Sequence, residues 1–296
     1  MKGSQVNGAA GTLRDRASAG RRRGAAGPAL AVLVALAATL AIAPKAAQAG
    51  RPCETQQSTA TEVMQGMALA EATARALDRS GAQVVVLARA GQDLSRYQLR
   101  WSHLGFAYRS GDGPGSYWRV VHKLNHCGTA EGAVYRQGLG EFFLDRPQRY
   151  EAAYVVLDAD VQARVLPVLR SNDEAARWHE PRYSMVAYPW ATRYQQSNQW
   201  VIETMAGAMD ARAARGPDAR RQAQAWLGAQ GYEPHVLRLG ALTRLGARVG
   251  MAHVAFDDHP NHKRFADRIE TVTADSVFEW LARSGLGEAR PTIVRP

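Results

Sequence analysis

Ser102-His103-Leu104-Gly105-Phe106-Ala107-Tyr108 and Tyr117-Trp118-Arg119-Val120-Val121-His122-Lys123-Leu124 are the two runs on which the reading of this chain turns. Both mix aromatic and aliphatic residues with polar ones, the second with β-branched Val120 and Val121, and a Gly-rich link over residues 110–116 separates them, the signature of a β-hairpin. Side chains alternate along a strand, so His103, Gly105 and Ala107 share one face. His122 then falls on the same side of the neighbouring strand, within reach of His103. Two histidines beside a glycine on adjacent strands form a candidate floor for a catalytic site.

Upstream of the hairpin, residues 83–90 (Gln-Val-Val-Val-Leu-Ala-Arg-Ala) form a continuous apolar run, the pattern of a buried central strand. Before it, Thr59-Ala60-Thr61-Glu62 is a capping box that opens a helix reaching residue 79. Downstream, the reading is a helical run over 129–137, an apolar patch at 139–144, and a strand at 150–157. Helices capped by Asp158 and Ser171 follow. Periodicity then lapses over 179–194, where Tyr183, Tyr188, Trp190 and Tyr194 accumulate in a loop suited to line a pocket or cover a core. Helices at 195–212 and 219–230, strands at 235–239, 252–256 and 268–273, a last helix to residue 283 and a loose tail complete the chain. Strands and helices mix without strict βαβ alternation, which predicts a single α+β domain with an antiparallel sheet core flanked by helices.

Charge excludes one class of partner. The chain of 296 residues carries +10, but residues 1–49 hold seven Lys/Arg against one acid, leaving 30 basic and 26 acidic residues for the remainder. The basic character belongs to the N-terminal segment, so a nucleic-acid partner is not expected. That segment has the layout of a signal peptide: Arg21-Arg22-Arg23, an apolar run over 28–43, then Ala47-Gln48-Ala49 before Gly50. Cleavage after Ala49 and a periplasmic mature domain, residues 50–296, are expected. No other stretch is apolar enough to span a membrane, so no stable span is expected after cleavage. In an oxidising compartment the two cysteines, Cys53 and Cys127, read first as a disulfide, worth about 4 kcal/mol for a loop of this length. A second reading makes Cys127, beside His126, a nucleophile.

Five segments carry a closer likeness: His103 with its glycine, Val120-Val121-His122-Lys123-Leu124-Asn125, Pro181-Arg182-Tyr183-Ser184-Met185-Val186-Ala187-Tyr188, Asn198-Gln199-Trp200 and Phe256-Asp257-Asp258-His259-Pro260. Through them, residues 52–282 resemble an uncharacterised bacterial family, domain of unknown function 2145, which implies no activity. More remotely, the Ser-His-x-Gly strand and Ser197-Asn198-Gln199-Trp200-Val201 resemble circularly permuted papain-like proteins of the NlpC type. That likeness implies a permuted papain-like core over residues 81–210, with Ser197 where the family has a cysteine nucleophile, His103 as base and His122 orienting it. It also implies a pocket walled by Asn198, Gln199, Tyr183, Tyr188 and Trp190, and a cell-envelope peptide or lipid as substrate.

A serine lacks the thiolate that a helix N-terminus stabilises, and depends wholly on its base. Ser197 also reads as a simple N-cap, His103 as a hydrogen-bonded core histidine and His122 as an alternating strand residue. Asp257-Asp258-His259-Pro260-Asn261-His262 matches no zinc spacing and reads as a solvated turn, so no metal or other cofactor is expected. Two functions stay open: a non-catalytic periplasmic binding or assembly protein, and a serine-dependent amide or acyl hydrolase or acyltransferase. Nothing in the pattern speaks to the oligomeric state.

Overall fold

The computed structural model describes residues 57–213 and 216–296. The expected leader, the expected cleavage point after Ala49 and Cys53 lie outside the described residues. Six antiparallel strands form the main sheet, in the order β4-β3-β2-β1-β5-β8. They are β1 (Val84–Ala90), β2 (His103–Ser110), β3 (Tyr117–Asn125), β4 (Gly132–Gly138), β5 (Arg149–Val156) and β8 (Thr292–Val294). All seven residues of β1 are buried, as a strand covered on both faces requires. β2 and β3 form the hairpin, with Phe106 opposite Val121.

Helices cover both faces of the sheet. On one side lie α1 (Ala60–Ser80) and α2 (Leu139–Phe143), packed on Val85, Leu87, Ala107 and Val120. Thr59 caps α1 through the expected capping box, and Gly81 ends it at φ 70°. On the other side lie α3 (Ala159–Arg170), α4 (Asn172–Ala176), α5 (Ser197–Met209), α6 (Ala219–Ala229) and α9 (Ala274–Ser284). These helices bury Leu104, Phe106, Val121, Trp200 and Trp280 in one cluster. A smaller ribbon, β6 (His235–Arg238) with β7 (Arg268–Thr271), and the short helices α7 (Ala241–Gly250) and α8 (Asn261–Arg264) gather around Ile269, Phe256 and Val254. The chain is therefore an α+β fold built on a six-stranded antiparallel sheet flanked by helices. Among the described residues no helix is long and apolar enough to cross a membrane.

Three local expectations are corrected. Residues 132–138 form β4 rather than a helix, because pairing with β3 along its length, from Arg119↔Gly138 to Asn125↔Gly132, overrides local propensity. The tail is not loose: β8 pairs with β5 through Ala152↔Val294. Residues 252–256 form no strand. Their backbone is drawn instead into links to the 183–194 loop, with Met185 N–H donating to the His253 carbonyl and Ala255 N–H to Ser184 Oγ.

The central helix α5 has no solvent face; residues 197–207 are all buried. It packs so closely on Trp178 that a Cβ at Gly207 would lie 2.0 Å from the indole Cε2. Only glycine permits that approach. The helix N-terminus enters where the hairpin splays. Beyond Phe106↔Val121 the β2–β3 ladder ends, and the Leu104 N–H donates to Asn198 Oδ1 at 2.9 Å instead of to β3.

Candidate functional site

Strand alternation puts His103 and His122 on the face that carries α2, where His103 Nε2 and His122 Nδ1 are 2.8 Å apart. Gly105 makes this possible: a Cβ there would lie 3.0 Å from His122 Cβ and 2.9 Å from a Val120 methyl. The next links fix the tautomers. His122 Nε2 lies 2.7 Å from Gln137 Oε1, a carbonyl oxygen that can only accept, so Nε2 carries the proton and Nδ1 accepts from His103. Gln137 Nε2 in turn donates to Glu141 Oε1 at 2.9 Å. A hydrogen-bond chain thus runs from a buried imidazole to a surface carboxylate.

Both imidazoles are neutral. Burial, reinforced by the Arg89 guanidinium, holds His122 down to about 4 and His103 well below its ordinary value. Phe142 packs against both rings, with centroids 5.9 Å from His103 and 5.1 Å from His122. Arg89 is anchored on the Phe142 carbonyl and on Asp145 at 2.5 Å.

Ser197 belongs to the other face. Its hydroxyl is 3.4 Å from Tyr183 Oη, and no hydrogen bond joins it to either histidine. It is the first residue of α5 but not its cap: Gln196 fills that position, its side chain accepting from Asn198 N–H at 2.8 Å. The residues expected to wall a pocket instead pack tightly around this helix end. Tyr183, Tyr188, Asn198 and Gln199 are all buried. Gln199 donates to the Tyr188 and Pro189 carbonyls, and Trp190 stacks edge-on to Tyr232. Asp257 and Asp258 are likewise no solvated turn. Asp258 accepts from Tyr188 N–H and pairs with buried His259, while Asp257 holds Tyr194 Oη.

Sequence reasoning missed the polar network beneath α5. Lys123, one residue beyond His122, turns to the opposite face and donates to the Glu180 carbonyl (2.5 Å) and Gln195 Oε1 (3.0 Å). Burial, with help from the Arg220 charge, lowers its pKa to about 7. Gln195 passes the link to Glu203, a fully buried carboxylate that also accepts from Gln199, Gln224 and both Nε and Nη2 of Arg220. Alternation at residue 123 was readable, but the convergence of 123, 195, 203, 220 and 224 was not.

Cys127 lies exposed in the turn after β3, beside His126. No curated protein and no solved structure matches the chain. A family model described as "Uncharacterized protein conserved in bacteria" matches residues 76–281, which span β1 to β7 and nearly all of α9. The chain belongs to that family, domain of unknown function 2145.

Proposed function

We propose that this is an exported, periplasmic protein of the cell envelope that binds or assembles rather than catalyses. One observation carries the reading: the hydroxyl of Ser197 engages Tyr183, while the imidazole of His103 engages His122. A serine nucleophile requires a base within hydrogen-bond reach, roughly 2.6–3.2 Å, since its own pKa gives no alkoxide at neutral pH. Both groups are also sealed, with Ser197 at 6% and His103 at 8% exposure. Export rests on the leader pattern, and the Cys53–Cys127 disulfide rests on the pairing of the only two cysteines in an oxidising compartment. Mature protein from the periplasmic fraction should begin at Gly50 and carry no titratable thiol.

The second reading, acyl transfer through Ser197, is favoured by the tautomer chain. It leaves His103 Nδ1 as a lone-pair acceptor, while Asn198, the neighbour of Ser197, is bonded to the backbone of the His103 strand. A fluorophosphonate probe separates the two. Binding without catalysis expects no labelling of the wild type. Labelling that disappears in both Ser197→Ala and His103→Ala would overturn it in favour of the acyl enzyme.

A further inference from the structure

At the far end of β3 from Lys123, alternation assembles a second polar group on the α3 side of the sheet. Tyr108 on β2 stands directly opposite Arg119 on β3, and Arg136 on β4 stands opposite Val121, one diagonal step from Arg119. Arg170, in the last turn of α3, and Asn172, at the start of α4, close over them. These residues line a groove of about 510 Å³ whose floor and rim are completed by Ser110, Gly111 and Asp112.

The groove brings together three arginines that lack acidic partners among the described residues. Arg119, Arg136 and Arg170 make no ion pair among the described residues, whereas most arginines described do. Arg136 is held by neutral acceptors only: Tyr108 Oη, the Leu169 carbonyl, and Asn172 Oδ1 at 3.2 and 3.0 Å from Nε and Nη2. Its guanidinium is fixed in place without being neutralised. Arg119 lies beside it with its own guanidinium over the Tyr117 ring. Neighbouring like charges on one sheet face cost stability, and the single carboxylate lining the groove, Asp112, cannot balance three cations.

We infer that this groove is a binding site for a phosphoryl group. A doubly charged tetrahedral oxyanion matches the charge excess of two, and guanidinium forks present paired N–H donors to such oxygens. Arg136 is the preset anchor, and Arg119 and Arg170 close on the ligand from strand and helix. The site is independent of Ser197, of the histidine pair and of export. A phosphomonoester lipid headgroup and a soluble phosphate monoester offer the same chemistry.

The test uses the full-length mature protein and the double variant Arg119→Gln/Arg170→Gln, whose side chains hold no ion pair among the described residues. Binding is measured with inorganic phosphate and with methyl phosphate by calorimetry. Co-sedimentation is measured with phosphatidic acid/phosphatidylcholine vesicles, which present a phosphomonoester, against phosphatidylcholine alone. Wild type should bind at least one of these saturably, and the double variant should lose about tenfold or more, the value of one charge-assisted hydrogen bond, at unchanged thermal midpoint. Loss confined to the soluble esters identifies a soluble ligand, and loss confined to the anionic vesicles identifies a headgroup. Failure of wild type to bind any of the three, or equal binding by the double variant, overturns the proposal.

Discussion

Replacing Glu203 by Gln tests whether the polar residues under α5 hold the fold together. The carboxylate is fully buried and accepts five hydrogen bonds: Oε1 from Gln199, Gln224 and Arg220 Nη2, and Oε2 from Gln195 and Arg220 Nε. An amide keeps the shape but converts one oxygen into a donor. Whichever way it turns, two or three of the five donors then face an N–H, and Arg220, itself 9% exposed, loses its counter-charge. Breaking one side of a buried pair costs about 3–5 kcal/mol, because the other charge is left unpaired. For a domain of this size that lowers the thermal midpoint by roughly 6–20 °C. Urea unfolding followed by far-ultraviolet circular dichroism measures it. Glu174→Gln serves as control, since its pair with Arg177 is half-exposed and worth about 1 kcal/mol or less. A Glu203→Gln protein within about 1 kcal/mol of wild type would refute the reasoning and show that water or another acid compensates Arg220.

The remaining predictions concern packing and pH. Gly207→Ala should destabilise by about 1–3 kcal/mol or more in the same urea experiment, because Trp178 is 1% exposed and its indole N–H is committed to the Ala213 carbonyl at 2.9 Å. A wild-type midpoint would mean that the indole moves aside without cost. Acid should unfold the protein through its buried histidines: their folded pKa values lie below 6.5, so below that pH the unfolded chain binds protons that the folded state excludes. The histidine contribution to stability is therefore full above about pH 6.5 and is lost towards about pH 4, with His122 alone accounting for about 3 kcal/mol, and His122→Gln should flatten that slope. Lys123 acts at the alkaline end. Its folded pKa of about 7 against 10.5 unfolded means that stability rises with pH between those values, a rise that Lys123→Met should abolish. Leu242→Ser and Val249→Ser on α7, at 85% and 81% exposure, should each leave the midpoint within about 0.5 kcal/mol.

What could be read in advance follows the strength of the local signal. The hairpin, β1 and α1 were legible because alternation, an unbroken apolar run and a capping box each point one way. Residues 129–137 were not. Thr-Ala-Glu-Gly-Ala-Val-Tyr-Arg-Gln has helix formers in number, and only the partner strand β3 decides the outcome. β8 is three residues long and takes its identity entirely from β5. For the site, alternation alone placed His103 against His122. The partner of Ser197 depended on where Tyr183 lands, fourteen residues away in an aperiodic loop, and no local pattern encodes that distance.

The placement of chemistry along β3 constrains what this family member can do. Successive residues of one strand divide its polar groups: His122 faces α2, whereas Lys123 and Arg119 face the opposite layer, at opposite ends. The Lys123 end is closed, since Lys123, Gln195, Glu203 and Arg220 are committed to one another and to backbone carbonyls and α5 fills the space above. The Arg119 end is open, and its three guanidinium groups make no ion pair among the described residues, with Asp112 as the one carboxylate in the lining. A buried network whose charges are paired rigidifies, while exposed cations without acid partners recognise. If catalysis lay in the closed end, opening it would have to break the Glu203 network at a cost of about 3–5 kcal/mol before any substrate gained contact. Ligand recognition at the arginine groove requires no such opening. The physical asymmetry of the two ends therefore favours a protein that holds an anionic ligand on a rigid scaffold over one that transforms a substrate inside it.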